Sequence, residues 1–386
     1  MNNTFLSIDI SPTNTSGMCN QLISIASSCC HSIKHNPSNT TKVIFIGKYL
    51  MEINSNKFCN IGEIIDLNAS NIFLKKYNII LFDMFNFDFK IVKIKYGLDN
   101  YSFDITYEIV KESLNNNIFK IGKDINLNNI KGDPFEYFKK TFFLPFNKKQ
   151  SKKLYITYSI NNIIFNEILN ESSGYLQTDF LLDFDYNKIV CTVRDDGSFI
   201  FSDILRNIVF NNIYVEKANE FIKTNINTNN NINNNINNNK KINCVHLRLE
   251  NDAIEHWGKS NQINYNTYKT LLENKYIQFI QKYIDKNIPT IILAHNYDNN
   301  VIKYLAENHY NYITTPKFHQ DRDISAIIDL HIGQICNNIC ICVFESTFSF
   351  SIVTRAYNNS ELKHFLICFT DIYNNDEFCF FNKFIT

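Results

Sequence analysis

The sequence predicts an α/β protein, and three observations support this prediction. The chain has 386 residues, of which 45% are hydrophobic and 20% charged, so it has enough apolar material for two cores. From residue 242 onward, strand-like apolar runs alternate with helix-like stretches, which is the pattern of a doubly wound domain. Several of the runs are continuously apolar, as buried parallel strands are. An Asn-rich stretch divides the chain, and we expect an N-terminal domain over 1–222, a linker over 223–241 and a C-terminal domain over 242–386.

The N-terminal region combines short apolar runs with amphipathic stretches. Two of the apolar runs are typical of parallel strands, and the stretch over 89–159 alternates apolar and polar residues, which indicates an antiparallel excursion. The predicted elements are, in order, a helix over 22–33, strands over 42–47 and 77–82, the antiparallel excursion over 89–159, and one helix over 204–222.

The C-terminal region has a clearer pattern, because strands and helices alternate regularly. Ligands of such domains bind at the carboxyl ends of the strands, so the polar residues that follow each apolar run are candidates for chemistry. The predicted elements are strands over 242–249, 289–294, 312–315, 339–344 and 366–369, with helices over 265–285, 300–308, 324–335 and 348–357.

Composition excludes several classes of protein. Lys and Arg together number 38, as do Asp and Glu, so the formal net charge is zero and a general nucleic-acid binder is disfavoured. The opening residues lack a basic segment followed by a long apolar run, and no apolar run approaches the ~20 residues of a membrane span. The 11 Cys are scattered without paired zinc-binding spacing, which indicates buried free thiols. We therefore expect a cytoplasmic protein without a membrane span.

The first group of candidate site residues lies at the end of the strand over 242–249. If this strand continues to residue 249, alternation places His246, Arg248 and Glu250 on one face. The planar guanidinium of Arg248 suits a phosphate, with which it forms paired, charge-assisted hydrogen bonds. A buried Arg–Glu pair that only stabilises the strand end is the other interpretation, and both stay open at this point.

Two further segments carry polar groups at predicted helix starts. Ser346, Thr347, Phe348 and Ser349 follow the strand over 339–344, where hydroxyl and backbone N–H groups form an anion site. Ordinary helix capping explains the same residues. Earlier in the chain, Gly17 and Asn20 belong to a loop in which Gly allows close approach to a ligand and Asn supplies donors and acceptors. A turn with a helix cap is the alternative there.

Taken together and in this order, the three segments resemble the fucosyltransferase superfamily, and most closely the GDP-fucose protein O-fucosyltransferases. The shared motifs are an early Gly-x-x-Asn-Gln loop, a strand ending in His-x-Arg and a Ser-Thr-Phe-Ser segment after a buried strand. The likeness is patchy over 1–35 and fairly continuous over 242–357. It implies a GT-B fold, in which two Rossmann-like domains face each other across a cleft and the C-terminal one holds most of the donor.

The resemblance also implies roles for single residues. Arg248 would hold the β-phosphate of GDP-fucose and assist its departure, and His246 would orient the site. Asn20 and the backbone of Gly17 would reach the sugar from the N-terminal domain. The remaining implied contacts are the diphosphate and fucose for Ser346, Thr347, Phe348 and Ser349, and the nucleoside for Asp252 and Asp329.

The general base is not assigned by the sequence. The early loop over 16–20 has no acidic residue, so Glu250 is taken as a catalytic candidate by proximity, with Asp252, Glu255 and His256 as alternatives. Glu345 departs from the family pattern, because a carboxylate beside a diphosphate is unfavourable unless it points away or contacts a sugar hydroxyl.

Two Asp-x-Asp triplets, 183–185 and 321–323, match the metal-binding pattern of the other main glycosyltransferase architecture. A GT-B site instead stabilises the leaving diphosphate with Arg and helix N-termini. We therefore expect metal-independent transfer, no metal site and no cofactor besides the donor substrate.

The sequence thus predicts an inverting glycosyltransferase that transfers fucose from GDP-fucose to a hydroxyl of a protein or glycan. The expected partners are a nucleotide-sugar donor and that acceptor, and neither nucleic acid nor membrane is expected. Two alternatives stay open: a catalytically silent protein of the same fold that binds a sugar nucleotide or glycan, and an α/β interaction protein without a nucleotide site.

Overall fold

The fold was analysed on a computed structural model of the chain. The structure describes residues 4–8, 17–35, 41–47, 49–50, 57–83, 86, 88–98, 101–115, 118–142, 151–177, 180–183, 199–227, 241–343, 346–356, 363–367 and 378–379. The first elements are β1 (Thr4–Ile8), α1 (Met18–His35), β2 (Lys42–Ile46), β3 (Tyr49–Leu50), β4 (Phe58–Cys59), α2 (Ile61–Ile64), α3 (Leu67–Leu74), a 3-10 turn (Lys75–Tyr77) and β5 (Ile79–Asp83).

The N-terminal elements form a parallel α/β layer, as predicted. Strands β1, β2 and β5 pair in parallel in that order, and every residue of β2 is buried. Helix α1 is longer than the predicted 22–33 and buries most of its residues, because small Ser and Cys side chains allow close packing on several sides. Asn78 takes a left-handed conformation between the 3-10 turn and β5, which turns the chain into the strand.

An antiparallel unit is inserted after β5. Its elements are β6 (Phe89–Leu98), β7 (Tyr101–Asp104), α4 (Thr106–Ser113), β8 (Leu114–Asn115), β9 (Ile118–Ile121), α5 (Asn128–Lys131), α6 (Pro134–Phe142), β10 (Lys153–Ile160), β11 (Ile163–Ser172), β12 (Tyr175–Leu176) and β13 (Phe180–Asp183). The five-stranded sheet has the order β12-β11-β10-β6-β7, and its inner face packs in a separate core around Tyr96 and Tyr158. The predicted antiparallel excursion is therefore confirmed, although helices interrupt it and its sheet extends past residue 159.

Two helices replace the single helix predicted over 204–222: α7 (Phe199–Asn207) and α8 (Asn212–Asn227). The chain between them pairs with the segment before α3, where Phe210 forms an isolated bridge with Ile65 and Asp66 N–H donates to the carbonyl of Val209. A tertiary pairing thus breaks a pattern that is helical by local periodicity. Helix α8 continues to Asn227, past the expected linker start at 223, and residues 228–240 of that linker lie outside the described residues.

The C-terminal elements alternate as predicted. They are β14 (Asn243–His246), α9 (Asn251–Ser260), α10 (Tyr265–Tyr283), β15 (Thr290–Leu293), α11 (Asn300–Glu307), β16 (Tyr312–Thr314), α12 (Arg322–Ile335), β17 (Ile339–Val343), α13 (Thr347–Ala356), β18 (Lys363–Ile367) and β19 (Phe378–Cys379). Helix α9 was not predicted, because only Ala253, Ile254 and Gly258 of its ten residues are buried and its apolar stripe is weak.

The C-terminal sheet has the order β16-β15-β14-β17-β18-β19, in which all pairs are parallel except the last. Alternate residues of one strand enter different cores: Cys244 of β14 packs with α12 and α13, and Val245 packs with α10. The sheet is therefore covered by helices on both faces, and the doubly wound prediction is confirmed. The strand order reverses between β14 and β17, which makes that place the topological switch point, where ligands of such sheets bind.

The two parallel layers share a continuous apolar core. Residues of α1 and β2 pack in the same cluster as residues of β14, α12 and α13, and α7 contacts both α1 and α13. The mixed α/β architecture is thus established for the described residues. The eight Cys whose side chains the structure describes are free and buried, as predicted. None of the helices in the described ranges is long and apolar enough to cross a bilayer.

Candidate active site

A cavity of about 870 Å³ lies at the carboxyl ends of the C-terminal strands, a volume typical of small-molecule sites. Residues that follow β14, β15, β16 and β17 line it, and the start of α1 lines it from the N-terminal part of the chain. Of the predicted site residues, those that line it are Gly17, Asn20, His246, Arg248, Glu250, Asp252, Asp329, Ser346, Thr347 and Phe348. Ser349 is absent from the lining.

Arg248 lies beyond the end of its strand, and this corrects the prediction that the strand reaches residue 249. β14 ends at His246, and the next residues form a turn in which Glu250 takes the N-cap position of α9. The face shared by His246, Arg248 and Glu250 is therefore not a product of strand alternation. Tyr276 on α10 fixes the turn, because its hydroxyl donates to the carbonyl of His246 at 2.7 Å and accepts from the N–H of Arg248 at 3.1 Å.

The guanidinium of Arg248 is held by two carboxylates. It pairs with Glu250 at 2.5 Å and with Asp252 at 2.9 Å, and it lies 5.9 Å from the ring centre of Trp257. Burial favours the neutral form of Arg248, but the two carboxylates outweigh burial and raise its pKa. In Asp252, burial favours the neutral carboxyl, but the guanidinium of Arg248 favours the carboxylate, and the pKa of the carboxyl is lowered. Both the buried ion pair and the phosphate-facing position that the sequence left open are compatible with this geometry.

The hydroxyl segment divides into a part that lines the cavity and a part that supports it. Helix α13 begins at Thr347, and Ser346, Thr347 and Phe348 reach the cavity at its N-terminus. The N–H of Ser349 donates to Ser346 Oγ at 3.5 Å, so the capping interpretation also applies. Glu345, for which the sequence raised an electrostatic conflict, lies outside the described residues.

Ser349 is buried behind the lining and contacts His246, and its expected contact with the donor stays a prediction. Its hydroxyl is fully buried, lies 2.8 Å from His246 Nδ1 and accepts from the N–H of Val343 at 3.2 Å. Burial lowers the pKa of His246 to about 4, so the imidazole is neutral at physiological pH. Its ring lies 4.6 Å from that of Phe348. His246 thus lies in the cavity wall between Ser349 and Phe348, and the orienting role expected for it stays a prediction.

Asp329 lines the cavity from α12. Its Oδ1 atom is buried and has no hydrogen-bond partner among the described residues. Burial raises the pKa of the carboxyl to about 7, against the opposing effect of a hydrogen bond with Thr315. Tyr297 anchors Thr315 by donating to its carbonyl at 2.8 Å. A buried carboxyl without a full set of partners is costly, and such groups concentrate at functional sites.

The start of α1 supplies the wall opposite the sheet. Gly17 precedes the helix and Asn20 lies in its first turn, and both line the cavity. The N–H of Met18 donates to Asp323 Oδ1 on α12 at 3.4 Å, which holds the helix start against the C-terminal part. Gln21 of the same motif is fully buried and is absent from the lining.

The two Asp-x-Asp triplets differ in how much of each the structure describes. Asp183 ends β13, and Phe184 and Asp185 lie outside the described residues. In the other triplet, Asp321 pairs with Lys57 and Asp323 accepts from Met18. No group of three or more His, Cys, Asp and Glu side chains among the residues with described positions is arranged to hold a metal ion.

Several lining residues were missed by the sequence reasoning. Most of them follow apolar strands or stand at a helix start, where the rule about strand ends directs attention, whereas Trp257 lies inside α9; no motif marked any of them. The main ones are Trp257, His295, Tyr297, Thr315, Lys317 and Arg322.

Comparison with known proteins gives likenesses of shape alone. No family model matches the chain, and no curated protein matches it in sequence. Among solved structures, the chain is similar to the crystal structure of POFUT1 in complex with GDP, with 10% identity, a TM-score of 0.47 and coverage of 95% of this chain and 98% of that one. It is also similar to an apo form of POFUT1, with 10% identity, a TM-score of 0.44 and coverage of 94% and 97%. At this distance the activity of a neighbour does not transfer to this chain.

Proposed function

We propose that this chain is an inverting glycosyltransferase that transfers fucose from GDP-fucose to a hydroxyl of a protein or glycan. The observation that carries the proposal is the meeting of Arg248 with the N-terminus of α13 in one cavity at the switch point between β14 and β17. Both features bind anions, the first through its guanidinium and the second through free backbone N–H groups and hydroxyls. Such a pair suits the pyrophosphate of a nucleotide sugar.

In the proposed reaction the acceptor oxygen attacks the anomeric carbon, and the bond from that carbon to the diphosphate oxygen breaks on the opposite face. The departing GDP gains negative charge, which Arg248, Ser346 and Thr347 would stabilise without a metal ion. The acceptor hydroxyl loses its proton in the same process. Glu250 would accept it, because diphosphate binding to Arg248 competes for the guanidinium that now pairs with this carboxylate.

The two ends of the cavity supply the remaining contacts. Asn20 and the Gly17 backbone would contact the sugar, since the start of α1 lines the same cavity as Phe348 and Arg248. Asp252 and Asp329 would contact the nucleoside. An unpartnered carboxylate oxygen suits the N–H donors of a nucleobase, and this supports a donor with such a base.

One observation favours a second candidate, a silent protein that binds a sugar nucleotide or glycan without turnover. Two carboxylates already neutralise Arg248, and its side chain is only 19% exposed. An arginine paired in this way would stabilise the fold and contribute little to the stabilisation of a negatively charged leaving group.

Ligand binding and turnover separate these functions. GDP, but not UDP, is expected to raise the melting temperature of the protein, because a ligand that binds only the native state stabilises it. A screen with GDP-fucose, GDP-mannose and UDP-sugars, scored by donor hydrolysis, identifies the donor and is expected to select GDP-fucose.

Arg248→Ala tests the role of the guanidinium in turnover. We expect it to lower kcat by about 100-fold or more, the magnitude typical of a lost electrostatic contact to a leaving group. Lys303→Ala, which removes an exposed cation on α11, is the matched control and should leave kcat unchanged. GDP binding with no hydrolysis of any donor would favour the silent protein, and no binding of GDP at all would refute both functions.

A further inference from the structure

The Asp321–Arg322–Asp323 triplet joins the two parts of the chain beside the cavity. It stands at the start of α12, and Arg322 and Asp323 line the cavity. Both acidic residues contact the N-terminal part of the chain: Asp321 through Lys57 and Asp323 through Met18. The triplet that matches a metal motif in sequence thus serves a different purpose in the fold.

Asp321 is directed away from its own helix. It occupies the N-cap position of α12, where an Asp side chain usually accepts from the first turn, but its side chain makes no such bond. The carboxylate, 3% exposed, instead contacts Lys57 Nζ at 2.8 Å and His319 Nδ1 at 3.4 Å. This buried carboxylate pairs with a lysine more than 260 residues away and does not cap its own helix. The pairing indicates that the residue serves the contact between the two parts of the chain.

Asp323 makes the second contact. Its Oδ1 accepts from the N–H of Met18 at 3.4 Å, at the first residue of α1, where backbone N–H groups have no partner within the helix. Asn20 lies two residues further and lines the same cavity as Arg248. A displacement of Met18 therefore displaces Asn20 relative to the groups on the C-terminal sheet.

We propose that Asp321 and Asp323 are positioning residues of one clasp: Asp323 holds the start of α1 at the cavity and so sets the place of Asn20, and the pairing of Asp321 with Lys57 fixes the helix start that carries Asp323. The part of the inference that concerns turnover depends on the proposed glycosyl transfer, whereas the clasp itself does not. Because the clasp acts on the sugar side, its loss should reduce the rate of transfer and leave nucleotide affinity unchanged. Misplacement of a positioning group by about 1 Å is enough to lower a rate strongly.

The chain offers a matched pair of variants. Lys57→Gln removes the charge of an exposed lysine, 56% exposed, whose partner Asp321 is buried. Lys76→Gln is the control, because Lys76 is 52% exposed and also pairs with a buried acid, Asp203, away from the cavity lining. We expect Lys57→Gln to lower kcat about fivefold to tenfold while the GDP dissociation constant stays within about twofold. Lys76→Gln should change neither.

Asp323 provides a rescue series. Asp323→Ala removes the acceptor for Met18, and Asp323→Asn keeps an acceptor oxygen, so the Asn variant should restore most of the kcat that the Ala variant loses. Equal losses of kcat in the two variants, or a loss of GDP affinity in proportion to kcat, would contradict the positioning role.

Hydrogen–deuterium exchange tests the clasp without any enzymatic readout. Amides at the start of α1, residues 18–22, should exchange faster in Lys57→Gln and Asp323→Ala than in the parent protein and in Lys76→Gln, by about fivefold or more. Unchanged exchange there would overturn the clasp. Faster exchange in a protein that hydrolyses no donor would support the clasp and refute the glycosyl transfer.

Discussion

Asp329 provides a quantitative test of the cavity, because its buried carboxyl makes stability depend on pH. Its pKa of about 7 lies above the ordinary value of 3.8, so the native state holds this proton more tightly than the unfolded state. Between these two values the native protein binds more protons, and the free energy of unfolding falls as pH rises. Below pH 4 the carboxyl is protonated in both states and does not lower the free energy of unfolding. Above pH 7 the full reduction of the free energy of unfolding is present.

The size of the cost follows from the shift in pKa. Each unit corresponds to about 1.4 kcal/mol, so ionised Asp329 destabilises the native state by up to about 4 kcal/mol above pH 7. Asp329→Asn removes the charge and keeps the shape. We expect it to stabilise the protein relative to the parent, by about 2.5 kcal/mol more at pH 8 than at pH 5.

Urea denaturation of both proteins at the two pH values measures this difference. Asp298→Asn is the control, because Asp298 is 86% exposed and its replacement should leave stability unchanged at both values. If the effect of Asp329→Asn were the same at pH 5 and pH 8 within about 0.5 kcal/mol, the carboxyl would titrate normally. The inference of a buried, unsatisfied group at the end of the cavity would then be wrong.

Three further predictions concern the wall of the cavity and its chemistry. Ser349→Ala should lower the free energy of unfolding by about 1–3 kcal/mol, since it leaves His246 and the N–H of Val343 without the buried hydroxyl. Urea titrations measure this loss, and a loss below that range would contradict the support role. Trp257 is the only Trp of the chain and lies beside Arg248, so GDP should change the intrinsic fluorescence, and a signal insensitive to saturating GDP would argue against binding there. Donor hydrolysis should persist in a chelator, and a strict requirement for manganese would refute the metal-independent mechanism.

Much of the C-terminal fold could be predicted because its central strands are buried on both faces. The runs around Cys244, Ile291 and Ile341 are mainly apolar on both faces, and that pattern has few interpretations besides a covered parallel sheet. The antiparallel insertion could also be predicted, because one face of its sheet is more exposed and its strands therefore alternate apolar and polar residues. Elements that depend on tertiary contacts were missed, as shown by the break near Phe210, which pairs with Ile65.

The candidate site shows the same division. Motif order in the sequence identified Arg248, the Ser346–Phe348 segment and the start of α1, which do line one cavity. The sequence offered Glu250 as a possible partner of Arg248, but it did not show that two carboxylates hold the guanidinium. Glu250 and Asp252 hold the guanidinium of Arg248 only because β14 ends early and α9 begins, and strand end and helix start are the least predictable features of local sequence.

The sequence by itself determined that polar and charged residues follow the apolar runs of the C-terminal region, because hydrophobic periodicity indicates roughly where each strand and helix lies, although not where it ends. Only the tertiary structure decided which of these side chains meet. Ser349 contacts His246 behind the cavity lining, and Asp321 pairs with Lys57 from the N-terminal part of the chain. Contacts between residues hundreds of positions apart depend on packing of the whole chain, and local sequence carries no direct record of that packing.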